Sequence, residues 1–169
     1  MIVLIVDGYN VIGAWDELNR LKEDDMTQAR DRLIELMAEY QAYSGQRVIV
    51  VFDAYFVKGI ESKLKTRKVE VIYTKEKETA DECIEKLVKK VKNVQTQVYV
   101  ATSDYAEQRI IFGQGALRKS SRELYIELKA IEKEIEEDIR SHRKERPKSK
   151  IIFDEDIRKT FEKWRRGKM

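Results

Sequence analysis

Three stretches of this chain are apolar without alternation, and each runs into an acid: "IVLIVD" at 2–7, "RVIVVFD" at 47–53 and "TQVYVATSD" at 96–104. A strand with one solvated face alternates apolar and polar side chains. Ile2, Val3, Leu4, Ile5 and Val6 do not, so both faces of that strand must be covered. A shorter strand, "VEVIY", follows at 69–73. Between the strands the spacing becomes helical. Ala29, Leu33, Leu36, Met37 and Tyr40 recur over about 25–43, and Ser44-Gly45 ends that stretch. "TADECIEKLVKKV" reads as a helix capped by Thr79, with Asp81 and Glu82 in its first turn. A further helix starts near Asp104 and stops near Gly113. Strands alternating with helices predict an α/β fold with a doubly wound, mainly parallel sheet.

After residue 118 the texture changes. Ser120 and Glu123 form a capping box for a helix running to about residue 140, charged on most faces. Apolar residues are sparse there, so the helix is expected on the surface or projecting. Pro147, the single proline, divides it from a last helix beginning at Asp154. Ile157, Phe161 and Trp164 form a stripe on that helix expected to dock on the body. The reading is one domain unit, with residues 1–118 as its sheet-bearing part and 119–169 as a charged helical extension and basic tail.

The length of 169 residues suits one domain. No apolar run approaches the roughly 18 residues of a membrane span. The first apolar stretch lacks the basic leader and small-residue cleavage site of a signal peptide. A single cysteine excludes an internal disulfide framework and suits a reducing, cytoplasmic setting. Cys83 is read as core packing and His142 as a solvated side chain, so a zinc site of His and Cys is excluded. The net charge is +3, but it is unevenly placed. Residues 141–169 hold 11 Lys/Arg against 5 Asp/Glu, and residues 58–77 hold seven basic against three acidic residues. An acidic middle between basic segments suits a polyanionic partner.

In a parallel sheet the C-terminal strand ends share one edge, where ligands bind at the switch point of strand order. Asp7, Asp53 and Asp104 end three different strands, and Asp81 opens a helix that should start near the same rim. Each alone could be a helix cap or turn former. Together they repel one another unless a cation neutralises them. A set of carboxylates without His or Cys suits Mg²⁺ or Mn²⁺, ions that commonly serve phosphate chemistry.

"DGYNVI", "FDA", "TADECI" and "ATSD", in this order, resemble the NYN branch of the PIN-like nucleases. The charged helix and basic tail are similar to those of the bacterial YacP-like ribonucleases. The resemblance covers residues 1–118 and extends more loosely through the tail. It implies a metal-dependent endoribonuclease that associates with the ribosome and cuts mRNA there. It implies that Asp7, Asp81 and Asp104 carry the metal and the catalysis. Asn10 would orient Asp7 or a bound water, and Asp53 would support the set or add a ligand. Whether four acids hold one ion or two stays open. Ser103 either bonds a ligand or phosphate, or is a turn hydroxyl.

Other readings of an acidic rim fail on specific residues. A receiver domain would need a second acid beside Asp7, where Gly8 stands. A haloacid-dehalogenase phosphatase would need an acid where Tyr9 stands. No G-x-G-x-x-G or P-loop motif is present. A binding module for RNA or the ribosome, with a weak or silent metal site, remains the alternative. Lys58, Lys63, Lys65, Arg67 and Lys68 follow the second strand, and Tyr55 and Phe56 precede them. Those aromatics either stack on bases beside phosphate-holding cations or pack under the loop. The acidic set favours an enzyme, because carboxylates facing phosphate do nothing for a pure binder.

Overall fold

The computed structural model describes residues 1–54 and 69–145. The chain opens with β1 (Ile2–Asp7), followed by α1 (Gly8–Ala14), α2 (Asp16–Asp24) and α3 (Met26–Ser44). It then forms β2 (Arg47–Phe52), β3 (Glu70–Tyr73), α4 (Ala80–Val91), β4 (Gln97–Ala101), α5 (Tyr105–Gly113), β5 (Leu117–Lys119) and α6 (Ser121–Glu145). The five strands are parallel, in the order β3-β2-β1-β4-β5. The order reverses at β1, which has β2 on one side and β4 on the other. The crevice at the C-terminal end of β1 is therefore the switch point where ligands gather in such sheets.

The alternation of side chains along β1 shows why polar residues are missing from it. Leu4 and Val6 pack into a core with Leu33, Met37 and Tyr40 of α3 and Leu124 and Leu128 of α6. Val3 and Ile5 face the opposite layer, with Cys83, Ile84 and Val88 of α4 and Ile111 of α5. Both faces are covered, so every position is apolar. Cys83 is a buried free thiol in that second core.

Helix ends follow local chemistry. Asp25 accepts from the Thr27 N–H (2.9 Å) to start α3, and Gly45 at φ 74° ends it, a backbone setting that favours glycine. Thr79 Oγ1 accepts from the Glu82 N–H at the start of α4 (3.1 Å). Ser120 Oγ accepts from the Glu123 N–H ahead of α6 (3.0 Å), one half of the expected capping box.

The course of α6 corrects the expectation that it lies on the surface or projects. Leu124, Leu128 and Ile131 are buried, and Ile135 and Ile139 pack against the same core. These residues repeat at helical spacing and form a narrow stripe, enough to seat an otherwise charged helix. Tyr40 donates to Glu127 (2.8 Å), Tyr43 to Glu134, and buried Lys119 to Glu127 (2.8 Å). Pro147 and the Ile157, Phe161 and Trp164 stripe lie outside the described residues. Among those described, no helix is long and apolar enough to cross a membrane.

Candidate active site

Asp7 is the last residue of the central strand and the N-cap of α1, and it is buried. The turn after it is tight. A Cβ on Gly8 would come within 2.3 Å of the Phe52 ring and 2.9 Å of the Val51 carbonyl oxygen. Only glycine lets the chain pass β2 this closely, which explains the residue after Asp7 in "DGYN".

Carboxylate oxygens of Asp7, Asp81 and Glu107 all lie within 4.8 Å of one another. Asp7 comes from the end of β1, Asp81 from the first turn of α4 and Glu107 from the first turn of α5. Asp81 is more open to solvent than the other two. Thr102, just past β4, donates its hydroxyl to Glu107 Oε2 at 2.9 Å and lies 3.4 Å from Asp7 Oδ2. Gln108 holds the Thr102 carbonyl (2.9 Å).

The charges in this group are unfavourable without a counterion. Burial raises the Asp7 carboxyl above its ordinary range, and the charge of Asp81 pushes the same way; hydrogen bonding with Glu107 and the Asn10 backbone N–H oppose it. Burial and the nearby charge of Asp104 raise Asp81. Glu107 is pushed up to about 10, first by burial, then by the Asp7 charge and the proton it shares with Asp7. The proton belongs to the cluster as a whole.

The donor set fits a hard divalent ion. It offers carboxylate oxygens alone. Glu107 Oε1 is buried and has no hydrogen-bond partner among the described residues, an arrangement that is costly unless a cation approaches. A divalent ion would also reverse the repulsion that raises all three carboxyls.

Glu107 was not among the acids expected at the rim, because it lies inside a helix and not at a strand end. Its signal was present: Asp104 Oδ1 accepts from the Ala106 N–H (2.9 Å), with the Glu107 N–H at 3.4 Å. An acid three residues after a helix cap ordinarily reads as part of the capping pattern.

Asp104 itself is exposed and lies outside the three-carboxylate group, near enough for its charge to raise Asp81. Asp53 follows β2 and lines a cavity of about 510 Å³ with Ala54 and residues 74–79. It acts on Asp81 through charge and is not one of the three. Asn10 meets Asp7 through its backbone N–H and uses its side-chain oxygen elsewhere. That Oδ1 accepts from the Ser103 N–H (2.8 Å) and the Ser121 hydroxyl (3.1 Å), tying the end of β4 to the starts of α1 and α6. Ser103 is exposed beside Asp104. Lys58, Lys63, Lys65, Arg67, Lys68 and Tyr55 lie outside the described residues.

The sequence matches the YacP-like NYN domain family over residues 4–166. It is 59% identical over 167 residues to the protein YacP of Bacillus subtilis (strain 168), covering 99% of this chain and 98% of that one. Among solved structures, it is similar to the crystal structure of Rae1 (YacP) from Bacillus subtilis. That match has a TM-score of 0.79 at 59% identity, and covers 99% of this chain and 96% of the other. A mutant form of Rae1 matches with a TM-score of 0.78 and 54% identity over the same shares.

Proposed function

Because the chain belongs to the YacP-like NYN domain family, a nuclease-type family, we propose that it is a metal-dependent endoribonuclease. Its substrate in this reading is mRNA, cut in association with the ribosome in the cytoplasm. The observation that carries the reading is the trio of Asp7, Asp81 and Glu107 within 4.8 Å at the switch point of a parallel sheet.

Asp7, Asp81 and Glu107 would hold Mg²⁺ or Mn²⁺. Such an ion polarises a phosphodiester oxygen and makes bound water more acidic. The protein's own groups set the stage. The Asn10 backbone N–H helps fix the Asp7 carboxylate, and the Thr102 hydroxyl fixes Glu107. Glu107 would have to give its proton to solvent to serve as a ligand. Asp104 uses Oδ1 to cap α5, and its exposed carboxylate would serve as the proton acceptor for water. Basic segments at 58–77 and 141–169 supply attraction for the polyanion that the acids cannot.

The test is cleavage of a defined mRNA, free and ribosome-bound, with Mg²⁺ or Mn²⁺ and with EDTA. Wild type should cut only with the ion, and faster on ribosomes. Asp7→Asn and Asp81→Asn should lose at least about a hundredfold in rate, the scale of a lost charge-stabilising group, while keeping RNA affinity. Undiminished cleavage in EDTA would overturn the metal reading. RNA binding with no cleavage under any condition would make the protein a binding module.

A further inference from the structure

On the α6 side of the carboxylates lies a second cavity, of about 270 Å³, lined by Ala14, Trp15, Asp16, Ser103, Arg122 and Tyr125. Its walls are aromatic. Trp15 is buried, held by a 2.7 Å hydrogen bond from its indole N–H to the Ser121 carbonyl. Tyr125 packs edge-on against it at 5.5 Å between centroids and stays 37% exposed. Arg122 and Asp16 are exposed at the same cavity, and neither forms an ion pair with a described residue. Lys129, paired with Glu132 at 3.1 Å, holds its ammonium 5.3 Å from the Tyr125 ring centroid.

We propose that this cavity holds one unpaired RNA nucleotide next to the scissile phosphate, its base on the Tyr125 ring that Trp15 backs and its phosphate on Arg122. The proposal rests on the endoribonuclease reading and extends it to a substrate contact. Ser103 lines the cavity and directly precedes Asp104, whose charge reaches Asp81, so the cavity adjoins the acidic rim. A strand with a phosphate over the carboxylates must leave along the rim. The Asp53 side sets Lys75 and Lys77 among three acids, Asp53, Glu76 and Glu78, and has no aromatic wall, whereas this side joins a guanidinium to an exposed ring. Aromatic walls beside a cation are how unpaired bases and their phosphates are held. Asp16 can accept from an amino or hydroxyl donor of the same nucleotide.

The experiment is fluorescence anisotropy of a short unpaired RNA, intact or with one abasic residue moved along it, against wild type, Tyr125→Ala, Tyr125→Phe and Arg122→Gln. Tyr125→Ala should weaken binding about tenfold, the scale of one lost base stack, and Tyr125→Phe should restore it. Arg122→Gln should weaken binding and flatten the slope of log affinity against log salt by about 0.7. At one abasic position the Tyr125→Ala penalty should vanish, which identifies the stacked base. Thermal stabilisation by Mn²⁺ should match wild type in all three variants, because the carboxylates are untouched. If wild type binds and cuts RNA and the variants match it, the cavity proposal falls and the nuclease reading stands. If the Tyr125→Ala penalty persists at every abasic position, the ring serves packing and the proposal falls. If the variants lose only capture of a protein partner, the surface belongs to that partner. If wild type neither binds nor cuts RNA, both readings fall.

Discussion

At the scale of residues, Glu107 decides how the site behaves without metal. Its folded pKa of about 10 stands above the ordinary 4.5. The folded state therefore keeps a proton that the unfolded chain releases between those values. Stability from this group is fully present below about pH 4.5 and declines as pH rises toward 10. Asp7 and Asp81 are raised as well and act in the same direction. In EDTA the melting temperature should fall from about pH 5 to about pH 9, and Glu107→Gln, neutral throughout, should flatten most of that fall. Thermal melts across this range check it; an unchanged slope in the variant would remove Glu107 from the proton-holding role. The same residue shows what sequence reasoning sees. Acids that end buried strands are conspicuous because nothing else there is polar. An acid inside an amphipathic helix is one of many, and its role emerges only when α5 is placed against β1.

Elements divide along the same line. The buried strands, α3 and α4 are legible because long periodic apolar patterns and side-chain caps mark them. By contrast, α1 and α2 start at Asp7 and Trp15 without a side-chain cap hydrogen bond, and β5 spans three residues. Such pieces owe their form to tertiary packing more than to local signals. For α6 the helix itself is legible, but its seat is not, because one apolar residue per turn is easily lost among charges. Its attachment has a measurable value. Leu128→Ala, at a fully buried site, should cost about 2–5 kcal/mol. Ile126→Ala, two residues earlier on the outer face and 57% exposed, should stay within about 0.5 kcal/mol. Urea unfolding of both variants measures the difference, and equal midpoints would mean that α6 is not part of the cooperative core.

For the whole molecule, the proposed function asks how a protein with acids at its centre would retain a polyanion. The excess of positive charge lies in residues 58–77 and 141–169. Replacing Lys63, Lys65, Arg67 and Lys68 with Ala should weaken binding to RNA or ribosomes. Each lost phosphate contact should make the salt dependence shallower by about 0.7 in log–log slope. Stabilisation by divalent ions should be unchanged. The same titration on an alanine variant of Arg143, Lys144, Arg146, Lys148 and Lys150 ranks the two segments, and wild-type affinity in the first variant would leave anchoring to the tail.

The central position of β1 also bears on the birth of the protein. Its pairing partners are β2, some forty residues later, and β4, which ends at Ala101. As synthesis proceeds, the most water-averse strand emerges early and waits for one of its two neighbours until most of the fold has been made. Long-range closures of this kind slow folding and leave a sticky edge open meanwhile. The order has a consequence for the carboxylates. Asp7, Asp81 and Glu107 meet only after β4 has docked and α5 has formed, so any nascent chain that stops short of α5 lacks the third acid of the cluster.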